Sequence, residues 1–328
     1  MASDAIPLLI DVDTGIDDAF GLLYACACDQ VRLLGVSTVA GNVDLAKATR
    51  NTRAVLALAG RAEIPVWPGS ARSLLRHARD ASEVHGGTGL GHAILPDPPQ
   101  DPAPLNAIDR IVACAHEHRG DLVLAATGPL TNVAMALMRE PALPGLLKRF
   151  VLMGGAYREG GNVTPAAEFN IWHDPEAARI VFRAFGEPGA APLVAVGLDV
   201  TRQTRLLPGH LDALAQRCAG ARHGPALTTF LRDAARHYFD FIEAREGQRF
   251  FTMHDPLAMA AAIDPSLIET CAVAVEIETS GEMTDGMTVA DWRGVWGRAP
   301  NAQVAVKVRA DAMIATFLAA MERLARRA

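Results

Sequence analysis

Leu8-Leu9-Ile10-Asp11-Val12-Asp13-Thr14-Gly15-Ile16-Asp17-Asp18 is the stretch around which the rest of the chain is arranged. Residues 6–10 are apolar apart from Pro7, and an apolar-periodic segment begins at Ala19. The pattern predicts a buried strand, a tight turn at Gly15 and then a helix. Four carboxylates (Asp11, Asp13, Asp17 and Asp18) fall within eight residues, where strand gives way to helix. Open α/β sheets bind their ligands at that end of the strands. So many acids in one place repel unless something positive lies among them. Phosphate has the wrong sign. A hard divalent cation, which takes carboxylate and carbonyl oxygens, has the right one. Asp17 and Asp18 alone would also suit the first turn of a helix, whose dipole favours acids, but that leaves Asp11 and Asp13 unexplained.

Working outward, the same alternation repeats. Residues 31–39 read as a strand ending in Ala40-Gly41-Asn42, 45–59 as a helix and 64–67 as a strand. This β-α-β-α-β order predicts an α/β fold: one open, mostly parallel sheet with helices on its faces. Residues 69–105 break the pattern and contain Val84-His85-Gly86-Gly87-Thr88-Gly89-Leu90-Gly91-His92. A stretch this long without periodicity is either a functional loop or a surface excursion. Alternation resumes with a helix at 106–118, a strand at 122–126, a helix at 131–138 and a strand at 150–153. Between them lies Thr127-Gly128-Pro129-Leu130-Thr131-Asn132, and Gly154-Gly155 closes the last strand.

Residues 160–174 read as a loop carrying Asn162, Glu168, Asn170 and His173. Such side chains suit a polyol, although Asn and Asp also serve turns and helix caps. A helix at 175–185 and a strand at 193–197 follow, then a mainly helical stretch, 208–247, bearing Tyr238, Phe239 and Phe241. Aromatic residues at helical spacing belong to a core more often than to a ligand platform. Met253-His254-Asp255-Pro256 opens another helix, in which Asp255 could act simply as a cap. The tail reads as strands near 271–277, 287–292 and 302–308, an antiparallel addition to the sheet, and a helix from Asp311.

Half of the 328 residues are hydrophobic and the net charge is −6 with both signs interspersed, so neither a nucleic-acid stripe nor a charged tail is expected. No secretory signal and no run long enough to span a membrane is read. The five cysteines are odd in number and scattered, which argues for free thiols in a cytoplasmic protein rather than a disulfide framework. With no repeat or linker, a single domain over 1–328 is the simplest organisation.

The acidic stretch resembles the amino-terminal signature of the nucleoside hydrolases, the inosine–uridine-preferring type and its relatives. Ala40-Gly41-Asn42, Val84-His85-Gly86, the 126–132 stretch, Met153-Gly154-Gly155, Asn162 with Ala167-Glu168-Phe169-Asn170, and His254-Asp255-Pro256 recur in that family in this order. One departure is Thr14, where that family commonly has Pro before the glycine. The resemblance implies a Rossmann-like nucleoside hydrolase fold and calcium-dependent hydrolysis of the N-glycosidic bond of ribonucleosides, in a salvage role. It implies that Asp13, Asp18, the Thr127 carbonyl and Asp255 hold Ca2+, and that Asp13 is the general base activating a metal-bound water. It places Asp17, Asn42, Asn162, Glu168 and Asn170 on the ribose, with Met153 lining the site. His254 is the expected leaving-group acid. His85 is expected as a base-binding or lid residue, and Tyr238 at the border of the base pocket. A homotetramer or homodimer is implied. Two rivals remain at this level. In a haloacid-dehalogenase-like phosphatase, Asp11 would be nucleophile and Asp13 acid–base with magnesium. The other is a nucleoside- or calcium-binding protein without turnover.

Overall fold

The computed structural model describes residues 5–77, 80–98 and 106–327. Within them β1 (Ile6–Val12) occupies an interior position of the sheet. Its side chains alternate: Leu8, Ile10 and Val12 enter the core on one face and Leu9 the core on the other. A strand buried on both faces needs a continuous apolar run, and residues 8–10 supply it.

The other strands are β2 (Val31–Thr38), β3 (Val66–Pro68), β4 (Val123–Ala126), β5 (Arg149–Met153), β6 (Leu193–Val196), β7 (Arg205–Leu206), β8 (Phe251–Thr252), β9 (Ile268–Val273), β10 (Val275–Ile277), β11 (Thr288–Ala290) and β12 (Ala302–Val308). Eight of them form one sheet in the order β3-β2-β1-β4-β5-β6-β12-β9. From β3 to β6 every pairing is parallel. The chain runs outward from β1 to β3, then crosses back to β4 on the other side of β1. That reversal is the Rossmann-type switch point, where the crevice at the strand ends opens.

The tail differs in part from the antiparallel addition expected. Only β9 pairs antiparallel in the main sheet; β12 inserts between it and β6, parallel to β6. Strands β10 and β11 pair with each other in a separate sheet. Close spacing along the chain does not reveal which distant strand each will join. The 160–174 segment is likewise not all loop: residues Phe169–His173 are helical. The 69–105 loop contains a short helix, Ser82–His85, while its residues 78–79 and 99–105 lie outside the described set.

The helix Ile16–Ala27 is buried all round, as its apolar composition requires. Helix His254–Ile263 packs beside it and is apolar throughout after its first turn. Both begin beneath the crevice, so the acids in their first turns converge there. No helix among the described residues is long and apolar enough to cross a membrane.

Asp11, which the phosphatase reading would make a nucleophile, is fully buried. Its Oδ1 accepts from Asn132 Nδ2 at 2.8 Å and from the Ser37 hydroxyl, and burial pushes its carboxyl up to about 6. Asn132 also donates to the Thr38 carbonyl at 3.0 Å and accepts from Ser70 N–H at 2.8 Å. One amide therefore ties β1, β2 and the start of the long loop together. Asn132→Ala should cost about 2–4 kcal/mol, because it strands several buried polar groups at once. Denaturant unfolding will show this as a lower midpoint with an unchanged slope.

Candidate active site

The crevice floor is acidic. Asp13 follows β1 directly and is fully buried. Its Oδ2 accepts from the Asn42 N–H at 2.6 Å, while among the described residues its Oδ1 has no partner. Asp18 accepts at Oδ2 from Gly15 N–H (2.9 Å) and Asn42 Nδ2 (3.0 Å), and at Oδ1 from the Thr127 hydroxyl (2.7 Å). Oxygens of Asp17, Asp18 and Asp255 lie within 4.8 Å of one another.

Asp13 is not part of that group of three but is buried and feels the charges of Asp18 and Asp17, and the four acids cannot all be ionised without a counter-charge. Burial first, and then the charge of Asp18, pushes Asp17 up to about 7. Asp13 and Asp255 are held well above the ordinary range by burial and by the same neighbours. Among the described residues Asp13 Oδ1 and Asp17 Oδ1, like the buried Asp11 Oδ2, have no hydrogen-bond donor to satisfy them. An all-oxygen set with orphaned, desolvated lone pairs fits a hard cation.

Glycines shape this floor by close approach. Gly15 has φ −91°, an ordinary value, so left-handed backbone is not what it supplies. A Cβ there would run into the His85 ring and would lie 2.8 Å from Asn42 Nδ2. A Cβ on Gly41 would collide with the Asp13 carboxylate.

Above the floor lies a cavity of about 710 Å³. Asp17, Asn42, His85, Thr127, Met153, Asn162, Glu168, Asn170, Tyr238, His254 and Asp255 all line it. Of the predicted metal and catalytic residues, Asp13 and Asp18 are buried and are not among the lining residues; Asp11, His173 and Phe239 do not line it either. Several polar residues already hold one another. Asn170 Nδ2 donates to the Thr127 carbonyl (2.7 Å) and the Met153 carbonyl (3.2 Å). Glu168 caps its short helix, accepting from Asn170 N–H and Ile171 N–H, and from Gly155 N–H across the crevice. Asn162 accepts from Phe169 N–H at 3.0 Å, a capping role, and keeps its amide donors free of that bond.

The aromatic patch divides. Phe239 is core, whereas Tyr238 and Phe241 line the cavity mouth together with Ile242, Phe250 and Phe169. Sequence reading missed Ile242, Phe250, Arg202 and Arg245 as lining residues, because loop and helix come together there through contacts with no local pattern. Phe169 carried a signal, standing between Glu168 and Asn170.

The two histidines are held differently. His85 Nδ1 accepts from Ile16 N–H at 3.0 Å, so its proton sits on Nε2. It thereby pins the glycine-rich loop onto the turn that carries Asp17 and Asp18. His254 Nδ1 lies 2.8 Å from Thr201 Oγ1, and its ring is partly exposed to the cavity. Burial, with a smaller contribution from Arg202, lowers its pKa to about 3, so the imidazole is neutral at pH 7.

A Rossmann-type sheet with a carboxylate cradle by a polar and aromatic pocket at its switch point defines an α/β protein with a site suited to a hard metal ion and a small polar ligand. The sequence matches the family described as inosine-uridine preferring nucleoside hydrolase over residues 8–315. It is 37% identical over 321 residues to the inosine-uridine preferring nucleoside hydrolase of Leishmania major, covering 97% of this chain and 98% of that one. It is also 37% identical to the pyrimidine-specific ribonucleoside hydrolase RihA of Enterobacter sp. (strain 638), covering 93% of this chain and 94% of that one. The purine-preferring ribonucleoside hydrolase from Gardnerella vaginalis superposes with a TM-score of 0.89 at 31% identity, covering 98% of this chain and 100% of that one. The chain belongs to the nucleoside hydrolase family and is by class a ribonucleoside N-glycosidase.

Proposed function

We propose that this enzyme uses calcium to hydrolyse the N-glycosidic bond of ribonucleosides, releasing ribose and the free base. The observation that carries the calcium reading is the pair of orphaned, buried carboxylate oxygens on Asp13 and Asp17, at the floor of a pocket walled by Asn and Glu side chains. Asp13, Asp18, the Thr127 carbonyl and Asp255 are the ligand set we favour. The Thr127 carbonyl keeps one lone pair beyond the bond from Asn170. A bound calcium ion would supply charge neutralisation and lower the pKa of a water that it holds.

The remaining chemistry falls to side chains of this chain. Asp13 accepts the proton of the attacking water through Oδ1, the oxygen that has no other partner. Asp17, Asn42, Asn162, Glu168 and Asn170 face the sugar, orient it, and place negative and dipolar charge against a ribosyl ring that turns cationic as C1′–N loosens. Asn42 supports the site twice over, since its own donors fix Asp13 and Asp18. His254 assists the departing base. His85 serves the base pocket chiefly as the anchor of its loop.

Base preference does not follow from kinship: the relatives' names span inosine-uridine, pyrimidine and purine types. The mouth formed by Tyr238, Phe241 and Phe250 would accept the face of any base. A cytoplasmic, salvage-type homodimer or homotetramer is part of the same reading. Release of reducing sugar from inosine, uridine, cytidine and adenosine, with and without chelation, tests it. Calcium-dependent release from at least one nucleoside is expected. Release that survives exhaustive chelation would remove the metal from the reading. The ranking of the four substrates would assign the pocket.

A further inference from the structure

We infer that Thr201 is a positioning residue that fixes the tautomer of His254, so that Nε2–H faces the pocket as a preset hydrogen-bond donor to the departing base. The inference rests on the role given above to His254 and adds how this chain enforces it.

Thr201 ends the short helix Leu198–Thr201, which follows β6, and it is fully buried. Among the described residues its hydroxyl has one partner, His254 Nδ1 at 2.8 Å. Two proton arrangements are available. If Nδ1–H donated to Oγ1, the hydroxyl hydrogen would be buried with no acceptor. If the hydroxyl donates to Nδ1, both groups are satisfied. Buried donors are rarely left unpaired, so the second arrangement wins. The imidazole proton then lies on Nε2, on the ring edge away from Thr201 and toward the cavity that His254 lines.

The two segments are locked in place by neighbouring bonds. Met253 N–H donates to the Thr204 carbonyl at 2.9 Å, and Thr204 Oγ1 donates to the Thr201 carbonyl at 2.7 Å. These hold the turn after β6 against the start of helix His254–Ile263, so the Thr201–His254 distance is set by backbone rather than by a mobile side chain.

In the reaction the water oxygen bonds to C1′ and its proton passes to Asp13. The C1′–N bond breaks and its electron pair moves onto the base. Nε2–H stabilises that developing negative charge by hydrogen bonding, and the base takes its proton from solvent. The imidazole ends as it began, neutral.

A substrate whose leaving group needs no such help separates this role from a structural one. Inosine and p-nitrophenyl β-D-ribofuranoside would be compared on the calcium-loaded enzyme and on Thr201→Val, Thr201→Ser and His254→Ala. Thr201→Val should lower kcat on inosine about tenfold with KM unchanged, as expected for loss of a supporting hydrogen bond, and should lower kcat on the nitrophenyl riboside by much less. Thr201→Ser should recover inosine turnover, and His254→Ala should lose about a hundredfold on inosine. An equal loss on both substrates in Thr201→Val, or no loss on inosine, would overturn the inference while leaving His254 in place. Equal effects of His254→Ala on both substrates would overturn the donor role itself.

Discussion

Asp13→Asn should lower kcat for ribonucleoside hydrolysis by about 10⁴-fold, the upper end of what a positioned general base contributes. The size follows from how tightly Asp13 is committed. Its Oδ2 is occupied by the Asn42 N–H, which leaves Oδ1 as the one atom that can take a proton. In the asparagine variant the amide oxygen will turn to Asn42 N–H, because the amide nitrogen cannot accept that bond. The NH₂ group then occupies the orphaned position and points a donor at the place where both cation and water belong. One substitution therefore removes the base and weakens the cradle together. Steady-state kinetics with a parallel measurement of bound calcium separates the two effects. At saturating calcium and with metal bound, a loss below about tenfold would be too small for a general base and would move that role to Asp17.

Much of the fold and site was legible because its logic is local. The strand–turn–helix at 6–27 follows from an apolar run, a glycine and a periodic segment, and the structure has β1 and its helix there. Each polar loop that follows β1, β2, β4 or β5 had to reach the same edge, since parallel strands share a direction. Asn42, Thr127 and Met153 therefore meet at one cavity although they are far apart in sequence. Asp255 joins them because its helix packs beside Ile16–Ala27.

What escaped reading depends on partners that no local pattern encodes. The insertion of β12 between β6 and β9 is a choice among strand edges that spacing does not reveal. Gly15 looked like a turn residue, yet its φ is ordinary, and its lack of a side chain makes room for His85 seventy residues later. His85, expected as a lid or base contact, lines the cavity, and its ring has a further task that the sequence did not show, accepting the Ile16 N–H. Asn162 and Glu168 looked like sugar ligands and also cap a helix that the sequence hid. Short helices held by such caps lack the length over which periodicity shows.

Calcium removal is the second large effect, and it should appear in stability as well as in rate. Chelation should lower kcat by about 10³-fold or more, since it removes the ion that would lower the pKa of the attacking water, an effect worth several kcal/mol. It should also lower the melting temperature by about 5–10 °C, because a ligand at a thousand times its dissociation constant adds about 4 kcal/mol to the folded state. The pH dependence identifies the cause. Without a cation, Asp17 titrates at about 7 in the fold against an ordinary 3.8, and burial raises Asp13, Asp18 and Asp255 in the same direction. A folded value above the unfolded one means that the native state holds the extra proton. That contribution is fully present below about pH 4 and is lost as pH rises through about 7. Metal-free protein should therefore become less stable between pH 5 and pH 8 relative to the loaded form, and the gap between their melting temperatures should widen with pH. Other titrating groups are common to both forms and cancel in that difference. Melting curves at several pH values, with chelator and then with calcium added back, test this directly. A gap that stays constant or narrows as pH rises would show that the acidic floor is not where the ion binds.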